Sequence, residues 1–289
     1  MVSVLIILDG AAECGPDTSL QLASIPVLDR LASEGAVEAR RTIPAGMRAG
    51  SEVGIPTLLG LSVTAPLSRG LIEAASAGIE VLAGTTPRRV DAPRDADPMS
   101  AMALARAHGL VHVRGHRFIA PSDEVVAPEG WRVWPDGAAP TGKLDATIIG
   151  GPGVAMGIGR LIGARTVVPD GCTSDTDTDL VAKAGAARDA MDRDKRVVVH
   201  VAAPDEASHR RDRIGKIASL ETIDRDLVGP IADSLSSDDL LEIGIDHGTD
   251  PTSGEHLADP VPFLRWGGSV QADGATRFVE IDALVGVGS

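Results

Sequence analysis

Three apolar, β-branched runs in this chain each give way to an acidic residue. Val2 to Leu8 stops at Asp9, Arg196-Val-Val-Val-His-Val-Ala202 leads into Asp205, and Leu240-Leu-Glu-Ile-Gly-Ile245 stops at Asp246. Runs that are mostly apolar, rather than alternating, suit strands covered on both faces, as in a parallel sheet. In an open α/β sheet, ligands bind at the carboxyl ends of the strands. Three carboxylates gathered there repel one another unless cations lie between them.

The rest of the chain supports that architecture. Asp145-Ala-Thr-Ile-Ile-Gly150 and Ala164-Arg-Thr-Val-Val168 read as short strands, and Leu180 to Met191 as an Ala-rich helix. Arg213 to Leu235 reads as one helix, because Ile214, Ile217, Leu220, Ile223 and Leu227 keep helical spacing. Ser24 to Gly35 reads as another, with Ser24 as N-cap, Pro26 in the first turn and Gly35 at the end. A further helix is predicted from Ser51 through Leu59. Strand–helix alternation predicts an α/β fold, a three-layer α/β/α sandwich around a mostly parallel sheet. Residues 67–129, rich in proline and arginine (Pro87, Arg88, Arg89, Pro93, Arg94, Pro98) and weak in periodicity, read as a small inserted lid; residues 1–66 and 130–289 read as the core.

Composition excludes several classes. The net charge of −14 leaves no basic face for nucleic acid. It would also repel a phosphorylated substrate, unless bound divalent cations compensate locally. Aromatics make up only 2% of the 289 residues, with no tyrosine, so the core rests on Val, Leu, Ile and Ala. Cys14 and Cys172 form no Cys-x-x-Cys pair, so a disulfide framework or zinc knuckle is not expected. The N-terminal apolar run lacks a basic flank and is too short for a signal or a membrane span, which predicts a cytoplasmic protein without a membrane partner.

Histidines accompany the acidic strand ends. Asp205 and His209 stand at i and i+4, on one face of a helical turn. His247 follows Asp246 directly, and His256 comes soon after. A mixed Asp/His set suits Zn²⁺ or Mn²⁺ better than Ca²⁺, with Mg²⁺ a further candidate. Ser51, in Gly46-Met-Arg-Ala-Gly-Ser-Glu-Val-Gly54, opens a predicted helix, where backbone N–H groups favour an anion. Less specific candidates are Arg69, His116, Arg117 and Lys216 as substrate-binding residues. His200 reads as a core residue or one standing behind the site, and Asp175 and Asp177 as a polar loop.

Taken in order, these pieces resemble one family. Asp9-Gly, Pro26-x-Leu-Asp-x-Leu-Ala-x-x-Gly35, Gly50-Ser51-Glu52, Ala203-Pro-Asp205-Glu-x-x-His209, the helix from Lys216 to Asp224, Asp246-His247 and His256-x-Ala-Asp-Pro-Val-Pro262 look like cofactor (2,3-bisphosphoglycerate)-independent phosphoglycerate mutase, archaeal-type branch, of the alkaline phosphatase superfamily. The resemblance implies two divalent metal ions. One would be held by Asp9, Ser51, Asp246 and His247, the other by Asp205, His209 and His256. Ser51 would be the nucleophile and carry a phosphoserine intermediate. Ser-Arg69-Gly-x-x-Glu-Ala resembles the family's Gly-Arg-Gly-x-x-Glu-Ala segment, so Arg69 is a candidate for holding a phosphate.

The chain departs from the family in its short insert, where Arg88-Arg89-Val-Asp stands in place of Phe-Arg-Cys-Asn-Leu. Three readings follow. The first is a mutase-like phosphotransferase acting on a small phosphorylated acid. The second is a phosphomonoesterase or phosphonate-handling transferase. The third is a non-catalytic binding protein that keeps the fold. The short insert also predicts weak phosphoglycerate mutase activity, unless Arg69, Arg88, Arg89 and Arg117 replace the lost contacts.

Overall fold

The computed structural model describes residues 1–81, 84–121 and 126–280. In chain order its strands are β1 (Ser3–Leu8), β2 (Ala36–Arg40), β3 (Arg88–Asp91), β4 (Val111–Arg114), β5 (Arg117–Ala120), β6 (Arg132–Val133), β7 (Thr147–Ile149), β8 (Arg165–Val167), β9 (Arg196–Val201), β10 (Leu240–Ile245), β11 (Gly248–Thr249), β12 (His256–Leu257) and β13 (Val261–Gly267). The helices are α1 (Ser19–Leu22), α2 (Pro26–Glu34), α3 (Ser51–Leu58), α4 (Arg69–Ala77), α5 (Pro98–Ala107), α6 (Val154–Leu161), α7 (Leu180–Met191), α8 (Ala203–His209), α9 (Arg213–Ile223) and α10 (Gly229–Ala232).

The main sheet has the order β2-β13-β10-β1-β9-β7-β8. From β10 through β8 neighbouring strands are parallel, while β13 pairs antiparallel with both β10 and β2. The unbroken hydrophobicity of β1 is explained by its two faces. Val4, Ile6 and Leu8 pack with Leu28, Ala184, Leu220 and Leu227 from α2, α7, α9 and the turn after α9. Leu5 and Ile7 pack on the other side with Ile55, Ile72 and Ile158 from α3, α4 and α6. Helices on both faces of a mostly parallel sheet make the three-layer α/β/α sandwich.

Two helix predictions need correction. Ser24 does not cap α2; the N-cap is Ile25, which makes no side-chain capping bond. Asp224, almost two hundred residues later, does this work: its carboxylate accepts the Val27 and Leu28 N–H groups at 3.1 and 2.7 Å. A cap supplied across tertiary space leaves no mark in the local sequence. The predicted helix from Arg213 to Leu235 is also divided. It passes into a π-helical turn over Asp224–Val228 before α10. Pro230 lies just beyond that turn. It has no N–H to return to the preceding turn, which accounts for the loosened winding.

A second, four-stranded antiparallel sheet, β4-β5-β3-β6, comes from the proline- and arginine-rich region. With α5 it closes a small core of its own around Val90, Ala101, Leu110 and Phe118. Asp97 caps α5 by accepting the Ser100 N–H at 2.8 Å, with Pro98 in the first turn. By contrast, α4 packs against α6 of the main layer. A Cβ at Gly157 of α6 would lie 2.1 Å from the Ile72 carbonyl oxygen, so glycine is needed for the two helices to meet this closely.

Lys183 of α7 is fully buried, with Nζ 3.2 Å from the His200 carbonyl oxygen. Burial pulls its pKa from 10.5 to about 8. Between those values the unfolded chain binds more protons than the folded one, so the penalty for burying this charge is full below about pH 8 and fades as pH rises toward 10.5. Lys183→Met is expected to stabilise the protein at pH 7 by about 2 kcal/mol, allowing for the lost hydrogen bond. Denaturant titrations should show the gain shrinking above pH 8; a gain independent of pH would mean that charge burial is not its source.

Candidate metal centre and cleft

Because β1 lies between β9 and β10, the ends of the three acidic strands are neighbours. Asp9 follows β1 directly, Asp246 follows β10, and Asp205 stands in the first turn of α8 after β9. All three are buried. A Cβ at Gly54 of α3 would lie 2.1 Å from the Asp246 carbonyl oxygen, so this glycine lets the start of α3 press against that strand end. Ser51, the first residue of α3, is thereby brought among the carboxylates.

The side chains fall into two groups. Asp9, Asp246 and His247 form one, and Asp205, His209 and His256 the other, the potential ligand atoms within each lying inside 4.8 Å of one another. Ser51 Oγ joins the first group, 3.3 and 3.4 Å from the Asp9 oxygens and 3.4 Å from His247 Nε2. In the second group Asp205 lies 3.1 Å from His209 Nε2 and 3.5 Å from His256 Nε2.

This donor set fits divalent cations. His247, His209 and His256 each point Nδ1 at a backbone carbonyl, those of Gly248, Gly254 and Ala49, at 3.0, 3.0 and 3.1 Å. Those contacts place the proton on Nδ1 and leave Nε2 as a lone pair aimed into the site, which is how imidazole ligands are held. His209 Nε2 and His256 Nε2 then face each other at 3.1 Å, an arrangement that calls for a positive charge between them. Asp246 Oδ2 is buried and has no hydrogen-bond partner. Asp9 is pushed well above the usual carboxylate range by burial and by its neighbours Asp246 and Asp205. Burial works on Asp205 in the same direction, but without a cation the rings of His209 and His256 can take up a second proton on Nε2, and the hydrogen bonds they then donate hold Asp205 well below that range.

Two residues behind this set are positioned by it. His200 is buried mid-strand in β9 and donates from Nε2 to Asp9 Oδ2 at 3.0 Å. Burial lowers its pKa to about 3, so it is a neutral donor. Thr249 touches both groups: its hydroxyl donates to Asp205 Oδ1 at 2.7 Å and lies 3.3 Å from His247 Nδ1. Sequence reasoning missed Thr249, although Asp246-His-Gly-Thr249 immediately after a strand marked the segment.

The chain matches the Metalloenzyme superfamily over residues 1–288. It belongs to that superfamily. Relatives of this metalloenzyme include the 2,3-bisphosphoglycerate-independent phosphoglycerate mutase of Methanopyrus kandleri, 26% identical across 98% of this chain and 92% of the relative. Mutase 2 of Methanothermobacter thermautotrophicus is 27% identical across 99% and 94%. The first alignment runs over 386 positions against 289 residues here, so the relative carries long segments without a counterpart. Among solved structures, the PH0037 protein of Pyrococcus horikoshii superposes with a TM-score of 0.82 at 24% identity, covering 98% of this chain and 90% of that one. A cofactor-independent phosphoglycerate mutase from Thermoplasma acidophilum gives 0.65 at 18%, covering 99% and 95%. These two superpositions establish the alkaline phosphatase-like fold. Among the described residues no helix is long and apolar enough to cross a membrane.

Asp9, Ser51, Asp205, His209 and His256 face a cleft of about 900 Å³, with Asp246 and His247 buried behind them, and the other wall of the cleft carries Arg69, Arg89, Arg114, Arg117, Arg132 and Trp134. Arg69 pairs with Glu52 at 2.5 Å, and Arg117 with Glu73 at 3.2 Å. Trp134 lies under three guanidinium groups, those of Arg132, Arg89 and Arg69, 3.9, 4.4 and 5.3 Å from its ring centre. His116 also lines the cleft. Lys216 does not, which corrects its place among the substrate-binding candidates. It is fully buried, pairs with Glu13 at 3.0 Å and donates to the Thr249 carbonyl at 2.8 Å. Its ammonium is consumed in holding the segment behind the site. Asp175 pairs with Arg210 and Asp177 accepts from Thr173, both within a polar loop.

Proposed function

We propose that this protein is a phosphoglycerate mutase-like phosphotransferase, in which Ser51 accepts a phosphoryl group from a small phosphorylated hydroxy acid and returns it to a second hydroxyl. The observation that carries the reading is the position of Ser51 Oγ. It sits at a helix N-terminus, 3.3 to 3.4 Å from Asp9 and His247, facing an arginine-lined wall across one cleft. The relatives' names point to the same chemistry.

Two divalent ions, Mn²⁺ or Zn²⁺ with Mg²⁺ as a further candidate, would be held by Asp9, Ser51, Asp246 and His247 and by Asp205, His209 and His256. When bound they would supply positive charge to the phosphoryl oxygens and favour the serine alkoxide. The chain's own groups do the remaining work. Ser51 Oγ forms the new P–O bond in line with departure of the substrate oxygen, which leaves with the bonding pair and takes up, through water in the cleft, the proton that the Ser51 hydroxyl gives up. The start of α3 presents N–H groups toward the transferring anion. In the return step the substrate's other hydroxyl forms a P–O bond, and Ser51 Oγ leaves with the bonding pair and regains the proton which that hydroxyl loses. Arg114 and Arg117 hold the carboxylate end, so the acid turns about a fixed point between the two transfers. The smaller sheet β4-β5-β3-β6 with α5 serves as the lid that limits water during the phosphoserine stage.

A short insert argues for weak mutase activity, whereas the four guanidinium groups of Arg69, Arg89, Arg114 and Arg117 on the cleft wall argue that the grip on a carboxylate is kept. We therefore favour the mutase reading over hydrolysis. Protein loaded with Mn²⁺ is expected to convert 3-phosphoglycerate to 2-phosphoglycerate with kcat/KM at or above about 10⁴ M⁻¹s⁻¹. Release of inorganic phosphate without the isomer would replace this reading with a phosphomonoesterase.

A further inference from the structure

Glu73 is a buried carboxylate that the transfer chemistry does not use. Its side chain is 2% exposed, yet it borders the cleft. One oxygen, Oε1, is shared by three arginines from three consecutive strands of the smaller sheet. Arg89 of β3 approaches at 3.2 Å, Arg117 of β5 at 3.2 Å and Arg114 of β4 at 3.6 Å. The other oxygen, Oε2, is buried without a hydrogen-bond partner, and so is Arg114 Nε. Arg89 is further occupied by a two-point contact with Asp91, at 2.8 Å for each bond, and Arg114 donates to the Pro152 carbonyl at 2.7 Å. Within this cluster three guanidinium charges face two carboxylates, Glu73 and Asp91, which leaves the cluster one positive charge in excess. Among the described residues Arg117 makes no ion pair besides the shared one, so the excess lies on the Arg114–Arg117 side.

The helix carrying Glu73 is a fixed reference. α4 packs on α6 at a glycine-permitted approach, and a Cβ at Gly70 would lie 1.8 Å from the Pro87 carbonyl oxygen. The chain just before β3 is thus clamped to the same helix. Three guanidinium groups this close would spread apart without an anion among them. A carboxylate on a rigid core helix holds them together and sets where the smaller sheet stands over the metal groups.

We propose that Glu73 is a positioning residue for substrate selectivity: it gathers Arg114 and Arg117 into a preformed subsite for the carboxylate of a phosphorylated acid. This rests on the phosphotransferase reading above. Phosphate is met at the metal groups and Ser51; the carboxylate is met at the arginines. Selection between a phosphorylated acid and a phosphorylated alcohol of the same size then depends on Glu73, which touches neither.

Calorimetric binding in the Ser51→Ala background, where no turnover intervenes, tests this with two metal-loaded proteins and two ligands. 3-Phosphoglycerate carries the carboxylate, and glycerol 3-phosphate lacks it. Adding Glu73→Gln is expected to weaken 3-phosphoglycerate about tenfold, and to change glycerol 3-phosphate by less than about twofold. Equal weakening of both ligands would show a merely structural role and overturn the proposal. No weakening of 3-phosphoglycerate, or tighter binding through removal of a competing anion, would overturn it as well. Should Glu73→Gln fail to fold, Glu73→Asp keeps the charge but draws the anion back by one methylene, and the same selective loss is required of it. Loss of isomerase activity in the wild-type protein would count against the phosphotransferase reading, whereas the ratio of the two affinities reports on Glu73 alone.

Discussion

Ser51→Ala is expected to fold normally and to lose turnover by at least about a thousandfold, the scale seen when a covalent nucleophile is removed. The structural cost is small. The N-cap of α3 is Gly50, and Ser51 makes no capping bond, so alanine, the best helix former, enters at the first helical position. The chemical cost is large because Oγ is the atom that forms and breaks the P–O bond. Two measurements separate these effects: a thermal melt within a few degrees of wild type, and a rate assay with 3-phosphoglycerate. Trapping labelled phosphate on wild-type protein, and not on the variant, would identify the intermediate. A variant that kept a near-wild-type rate would rule out the covalent route.

His209→Ala and His256→Ala are expected to reduce bound metal from two ions per chain to one, and to lower turnover by about a hundredfold or more. Each removes a neutral donor from the Asp205 group while leaving Asp9, Asp246 and His247 in place. Elemental analysis after dialysis checks the stoichiometry. Loss of both ions together would point to coupling through Thr249, which contacts both groups. Unchanged metal content would remove these histidines from the ligand set. His209 and His256 are both raised above the ordinary imidazole range: a hydrogen bond to Asp205 lifts His209, and the same partner overcomes the opposing effect of burial at His256.

The core sheet was legible because its strands are buried on both faces, and that requirement writes an unmistakable apolar run at Val4–Leu8, Val197–Val201 and Leu240–Ile245. The antiparallel strand β13 was not. It carries Pro262, Arg265 and Trp266 within one edge-side strand, a mixture with no clean period. Nor was the smaller sheet, whose strands of two to four residues are too short to show alternation. At the site, the residues next to strand ends were visible one by one, because their spacing to the strand is local. What could not be read was convergence. Arg89 and Arg117 stood in the sequence as separate candidates and Arg114 was not singled out, until Glu73, on a different element, gave the three a common point. Lys216 failed in the opposite sense: a lysine at a helical position looked available, and the fold buried it behind Thr249.

The placement of Trp134 gives the protein a built-in optical probe. The chain has three tryptophans and no tyrosine, so its ultraviolet emission comes from very few sources. Trp266 lies on β13, with its indole N–H on Glu34, and Trp131 stacks near Phe118. Only Trp134 of the three lines the cleft, its ring beside three guanidinium charges and its N–H bonded to Asp91 at 2.7 Å. Any anion that draws those arginines away changes the field across that indole. Occupancy of the cleft is therefore readable as a colour shift in unlabelled protein, with Trp134→Phe as the subtraction that isolates the signal.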